Sequence, residues 1–154
     1  MFGATSKNIN QYKAMSVETG VAAANPVQLI VMLYDGAIVA CYSAMAYTQK
    51  NDYPNKSEMI FKAIRIIQSG LRMSLNKEHG GKIAENLDAL YIYMTNRLVK
   101  ANIDNKIEPI KEVINLLNEL RDAWNEISSR PEALIHNATN RLADANAVAY
   151  LEKV

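Results

Sequence analysis

"NPVQLIVMLYDGAIVACYSAMAY", residues 25–47, is the stretch on which the fold turns. Between Leu29 and Tyr47 only Asp35, Gly36 and Ser43 interrupt the apolar run. A helix that is apolar nearly all round belongs in a protein core or in a bilayer. The run is long enough to span, since a span needs about 18–20 residues. Against that, Asp35 would sit among lipid tails at a cost of about 2.5–3.5 kcal/mol near the centre. No basic cluster precedes the run, and the remaining helices are amphipathic in the manner of soluble proteins. The expectation is therefore a core helix without membrane insertion.

The rest of the chain tells what surrounds it. The sequence has 154 residues, enough for one domain with a core of its own. Its net charge of +1, from 17 basic and 16 acidic residues, supplies no patch for nucleic acid or an anionic surface. The single cysteine, Cys41, excludes an internal disulfide and fits a reducing cytoplasm. The opening residues MFGATSKNIN lack the apolar stretch of a secretory signal.

Four helices are expected, and no strands. Helix 1 starts at Asn25 as N-cap, with Pro26 at N1 and Gln28 completing a capping box, and runs to about Lys50. Helix 2 is expected from about Asn55, capped with Glu58, and its stripe is Ile60, Ile64, Ile67, Leu71 and Leu75. Gly80 and Gly81 read as the turn that ends it. Helix 3 repeats the spacing with Ile83, Leu87, Leu90, Met94, Leu98 and Ala101. Helix 4 does so with Val113, Leu117, Leu120, Trp124 and Ile127, with Pro109 in its first turn, and it stops before Pro131. Burial is expected for Trp124, Leu117, Ile67 and Leu71.

Short connections make sequential helices antiparallel. The fold class is thus an all-α, antiparallel up-down four-helix bundle over residues 25–130. An N-terminal cap segment, 1–24, precedes it and a C-terminal helical tail, 131–154, follows it, all in one domain. Helix 1 has more apolar surface than its neighbours can cover. Either a flanking segment covers the outer face or that face binds a partner. The arm offers Tyr12, Met15, Val17 and Val21. The tail offers Leu134, Ala138, Leu142, Ala145 and Ala149 at helical spacing.

Catalytic and metal chemistry find no footing in the sequence. His79 sits in a turn and His136 stands alone. Glu132 to His136 is one residue too long for a di-iron motif. HGGK lacks the upstream glycine and the Ser or Thr of a phosphate loop. Cys41 has no basic neighbour in sequence to make it a nucleophile. Neither a catalytic residue, a metal nor a cofactor is expected. Gly36 in a helix interior costs about 1 kcal/mol relative to Ala, which suggests close approach of another backbone. Asp35 beside it is read as holding a partner's donor, or an Arg, or as a plain surface residue.

Three colinear blocks carry a family resemblance over residues 10–128: NPVQLIVMLYDGAI, GLRMSLNKEHGGKIAENLDALYIYMTNRLVKAN and VINLLNELRDAW. Within them Leu33-Tyr34-Asp35-Gly36, Gly80-Gly81, Ala84-Glu85-Asn86-Leu87, Leu90-Tyr91, Tyr93-Met94 and Ala101-Asn102 are the specific elements. The sequence resembles the FliS family of flagellar export chaperones for flagellin. Ile92 stands where that family often has Asp, Lys82 where it has an acid, and the tail past Pro131 is longer than usual. The resemblance implies a cytoplasmic, non-enzymatic four-helix bundle for flagellar type III export. It would bind the disordered C-terminal segment of flagellin, prevent premature polymerisation and be recognised, when loaded, by the export gate protein FlhA. On this reading the residues expected to meet flagellin, in groove and cap, are Tyr12, Val17, Val21, Leu29, Ile30, Leu33, Tyr34, Asp35, Gly36, Asn86, Leu90, Tyr91 and Met94. The alternative is a helical scaffold or self-associating bundle that does not bind flagellin.

Overall fold

The computed structural model describes residues 26–129. Four helices make up this part: α1, Pro26–Gln49; α2, Tyr53–Arg65, continued by a π turn at Ile66–Leu71 and a 3-10 turn at Arg72–Ser74; α3, Lys77–Asp104; and α4, Glu108–Ser129. No strand occurs among the described residues. The Asn25 cap lies outside them.

Contacts between named residues fix the topology. Gly36 meets Ile66 and Gly70 meets Leu33, so α1 and α2 run antiparallel. Lys56 reaches Asn102, Gln68 reaches Thr95 and Arg72 reaches Asp88, which sets α2 antiparallel to α3. Arg97 in the C-terminal half of α3 pairs with Glu112 near the start of α4, and Arg121 in the C-terminal half of α4 pairs with Asp35 in the N-terminal half of α1. This is the up-down-up-down bundle expected from the short connections. α1 packs on α2 and α4, and so does α3, so α1 and α3 stand diagonally across the core.

The apolar stripes point where their spacing says. Ile60, Ile67, Leu71, Leu87, Leu90, Met94, Leu98, Val113, Leu117 and Leu120 are each at most 2 % exposed. Trp124 departs from the expectation: it is partly buried and packs against the core from its rim. A pocket opens beside it.

Helix boundaries differ from the sequence expectation at two places. α2 starts at Tyr53, two residues before Asn55, because the Asp52 carboxylate accepts from the Asn55 backbone N–H at 3.4 Å and from its side-chain amide at 2.7 Å. Pro54 then falls in the first turn, where its missing N–H costs nothing. The second difference is the glycine pair, which does not end α2. The chain leaves α2 through the 3-10 turn and an extended Leu75, and Asn76 caps α3 by accepting from the His79 N–H at 3.1 Å. Gly81 instead kinks α3 near its start, with φ 54° and ψ −132°, a conformation closed to residues with a Cβ.

The close approach inferred for Gly36 belongs to Gly70. A Cβ on Gly70 would lie 3.0 Å from Leu33 Cδ2, whereas one on Gly36 would lie 3.4 Å from Ile66 Cδ1, an ordinary contact. Gly36→Ala should therefore stabilise the bundle by some tenths to about 1 kcal/mol through helix propensity. Gly70→Ala should give no such gain, because Leu33 must shift. Melting curves of the two variants side by side check this, and a Gly36→Ala variant less stable than the parent would show that the backbone needs the gap.

Candidate surface for a helical partner

α1 places its residues in two classes. Tyr34, Ala37, Ile38, Ala40, Cys41 and Ala44 face inward and are at most 6 % exposed. Leu29, Met32, Val39 and Tyr42 face outward, with Val39 63 % and Tyr42 50 % exposed. Asp35 interrupts this outer stripe, and its carboxylate accepts from Arg121 at 3.2 Å. Asp35 thus holds an arginine of the bundle itself while its side chain stays half exposed. α1 is long and apolar enough to cross a bilayer. Here its inner face is packed on α2 and α4.

The core beneath that stripe is polar at one point. The Tyr34 and Tyr91 hydroxyls hydrogen-bond at 2.5 Å across the diagonal of the bundle. Burial pushes both phenols above their ordinary range, and for Tyr34 the neighbouring Tyr91 adds to the effect. The Trp124 indole N–H meets no acceptor at bonding geometry, yet it lies near enough to Tyr34 to offset part of that shift. Beside this trio, the four helices form an open pocket of about 220 Å³ lined by Ile30, Leu71, Leu75, Ile83, Leu87 and Trp124 among others. It lies at the end of the bundle where α1 begins and α4 ends.

The residues expected to meet a partner are thus dispersed. Leu29 and Asp35 are on the surface, Ile30 lines the pocket, and Leu33 and Gly36 are half-buried against α2. Tyr34, Leu90, Tyr91 and Met94 are in the core, and Asn86 is 9 % exposed. Tyr12, Val17 and Val21 lie outside the described residues. Among the methionines, Met32 is exposed, Met45 and Met59 are partly buried and Met94 is fully buried. The structure adds Val39 and Tyr42, which the sequence reading left out. Their position seven and ten residues after Met32, opposite Tyr34 and Cys41 on the wheel, is the signal that marks them. It also adds Ile92, Val99 and Ile103, an exposed apolar row on α3 at the opposite side of the bundle.

An ion-pair cluster holds one end and a buried lysine the other. Asp88 accepts from Arg72 at 2.6 Å and lies 3.4 Å from Lys77. The Arg72 hydrogen bond holds the Asp88 carboxyl below its usual range. At the other end Lys56, 2 % exposed, donates to the Asn102 carbonyl at 2.9 Å and to Asn105 Oδ1 at 2.6 Å, and so closes the C-terminus of α3. Cys41 is buried, with its thiol pushed up to about 12, and is chemically inert.

Comparison with known proteins places this bundle. A family profile described as "Flagellar protein FliS" matches residues 8–131. The chain belongs to the FliS family. The "Flagellar secretion chaperone FliS" of Salmonella typhimurium is 44 % identical over 126 residues, covering 82 % of this chain and 93 % of that protein. The Escherichia coli protein of the same name is 37 % identical over 84 % of this chain and 95 % of its own length. The Pseudomonas aeruginosa "Flagellar secretion chaperone FliSB" is 42 % identical over 79 % and 96 %. These FliS relatives are named for chaperoning secretion, not for an enzyme activity. The matched region contains the whole described bundle and reaches into the N-terminal arm.

Proposed function

We propose that this FliS protein is a cytoplasmic, non-catalytic export chaperone. Its client is the disordered C-terminal segment of flagellin, which it keeps from polymerising and carries to the flagellar type III export apparatus, with FlhA receiving the loaded complex. The observation that carries the reading is the outer stripe of α1, Leu29, Met32, Val39 and Tyr42, on a bundle of the FliS family. A disordered client gives up about 2–5 kcal/mol or more in becoming ordered, so its chaperone must present a long apolar face. An amphipathic client helix with anchors at i, i+3 and i+7 fits such a face. Residues 8–24, with Tyr12, Val17 and Val21, act as a cap that the client displaces.

Titration of the protein with a flagellin C-terminal peptide tests this. Binding with one-to-one stoichiometry is expected. Val39→Glu, at an exposed position with no role in the core, should weaken it at least tenfold while leaving the melting temperature within a few degrees. Absence of binding by the parent protein would end the flagellin reading. Self-association in place of peptide binding would favour the scaffold alternative.

A further inference from the structure

The bundle leaves two polar side chains unsatisfied in the seam between α3 and α4. Asn86 is 9 % exposed, and its side-chain amide makes no hydrogen bond among the described residues. Glu119 Oε2 is buried and meets no donor. One step along the same seam the polar groups are matched: Tyr93 and Arg97 both donate to the Glu112 carboxylate. A buried polar atom without a hydrogen bond is costly and rare in a native fold, so a seam with two such side chains calls for a reason.

The helix register brings the two together. Tyr93 faces Glu112 across the seam. Asn86 lies seven residues before Tyr93, and Glu119 lies seven residues after Glu112. Seven residues are close to two full turns, so in this antiparallel pair Asn86 and Glu119 face each other on the same side. Small residues flank them, Ala89 on α3 and Ala123 on α4, which leaves the seam shallow at this level. α4 also packs more closely on α1 than on α3. The charge here is acidic. Glu112, Glu119 and Glu126 form a row along α4, and Arg97 neutralises Glu112, whereas Glu119 is paired with no cation among the described residues.

We propose that the Asn86–Glu119 seam is a binding site for an arginine side chain of a partner protein. A carboxylate oxygen and an amide oxygen that face each other can both accept from one planar guanidinium, whose N–H donors form a fixed fork. The bound arginine supplies Glu119 with the cation that the fold withholds. The acidic row repels nucleic acid and anionic lipid, so a polypeptide is the fitting source of the guanidinium. The site is separate from the outer stripe of α1 and does not rest on the flagellin reading.

Titration of the full chain with N-acetyl-arginine-N-methylamide, followed by NMR, tests the assignment. The Asn86 side-chain amide signals should shift saturably. Glu119→Gln, which keeps the size of the side chain, should weaken binding at least fivefold. Glu85→Gln removes an exposed acid one residue before Asn86 and should leave binding within twofold. The citrulline analogue, uncharged but of the same shape, should bind at least fivefold more weakly than the arginine compound. Glu119→Leu removes the unpartnered carboxylate, so it should raise the melting temperature by about 2–4 °C while abolishing the saturable shift. Three results would overturn the proposal: no saturable shift at Asn86, equal binding of the two compounds, or equal effects of Glu119→Gln and Glu85→Gln. A Glu119→Leu variant less stable than the parent would also overturn it, because Glu119 would then be holding the fold.

Discussion

Between pH 8 and pH 11 the protein should lose stability progressively, in a range where a domain is held folded by only about 5–15 kcal/mol. Three buried acids cause this. The Cys41 thiol is pushed up to about 12 from an ordinary 9, and the Tyr34 and Tyr91 phenols are pushed above their ordinary 10. Burial is the leading cause for all three. In the unfolded chain these groups release their protons at the ordinary values, while in the bundle they hold them. The native state therefore binds more protons, and stability falls as pH rises, by up to about 1.4 kcal/mol per pH unit for each group. The loss begins near pH 9 with Cys41 and steepens above pH 10 with the tyrosines. Burial lowers the Lys56 amine, which acts in the opposite sense toward pH 10.5, but one group cannot offset three. Urea titrations at pH 8, 9, 10 and 11 measure the profile. Cys41→Ala should remove the part between pH 9 and 10. A profile flat to pH 10 in the parent would mean that the thiol is not held as the structure holds it.

Leu90→Ala should cost 2–5 kcal/mol, the usual range for a large core residue replaced by alanine. Leu90 is fully buried on α3, next to Tyr91 and one turn before Met94. The comparison with Val39→Glu separates core from surface. At a temperature where both variants remain folded, Leu90→Ala should leave peptide affinity within about threefold, while Val39→Glu loses at least tenfold. Should Leu90→Ala weaken peptide binding as much as Val39→Glu without loss of stability, Leu90 would be a contact and not a core residue.

The stripes and their ends were legible in the sequence because they depend on local periodicity alone. Ile60, Ile67 and Leu71, then Leu87, Leu90, Met94 and Leu98, then Val113, Leu117 and Leu120 all turn inward as their spacing says. Pro109 sits in the first turn of α4 as expected. Choices between competing local signals were not legible. Asn55 and Asp52 both suit an N-cap, and Asp52 takes the role, its carboxylate accepting from the Asn55 backbone and side-chain amides. Gly80 and Gly81 carry the strongest turn signal in the region. Asn76 starts the helix before them, and the Arg72–Asp88–Lys77 cluster holds that start in place.

The site was less legible than the fold. Tyr34 shares a motif with Asp35 and Gly36, and sequence adjacency grouped the three. A helix turns by about 100° per residue, so neighbours in a motif face different ways. Tyr34 finds Tyr91 in the core, Asp35 finds Arg121 at the surface, and Gly36 rests on Ile66. The outer stripe shares its chemistry with the inner face, since both are apolar. Only the packing of α2 and α4 on one side tells which is which.

The π turn at Ile66–Leu71 has a consequence for how this chain tolerates changes in length. The Arg72 N–H bonds back to the Ile67 carbonyl, five residues earlier, where an α-helix would bond to the fourth. The segment thus stores one residue more than straight winding needs. Removing one residue there, Ser69 for instance, would let the helix relax to ordinary winding before Arg72. Removing one residue from Tyr53–Arg65 has no such outlet and would rotate everything beyond it by about 100° relative to α3. The second helix can therefore absorb the loss of one residue at this turn without turning the residues beyond it off the core, so single-residue losses in homologous chains are expected there.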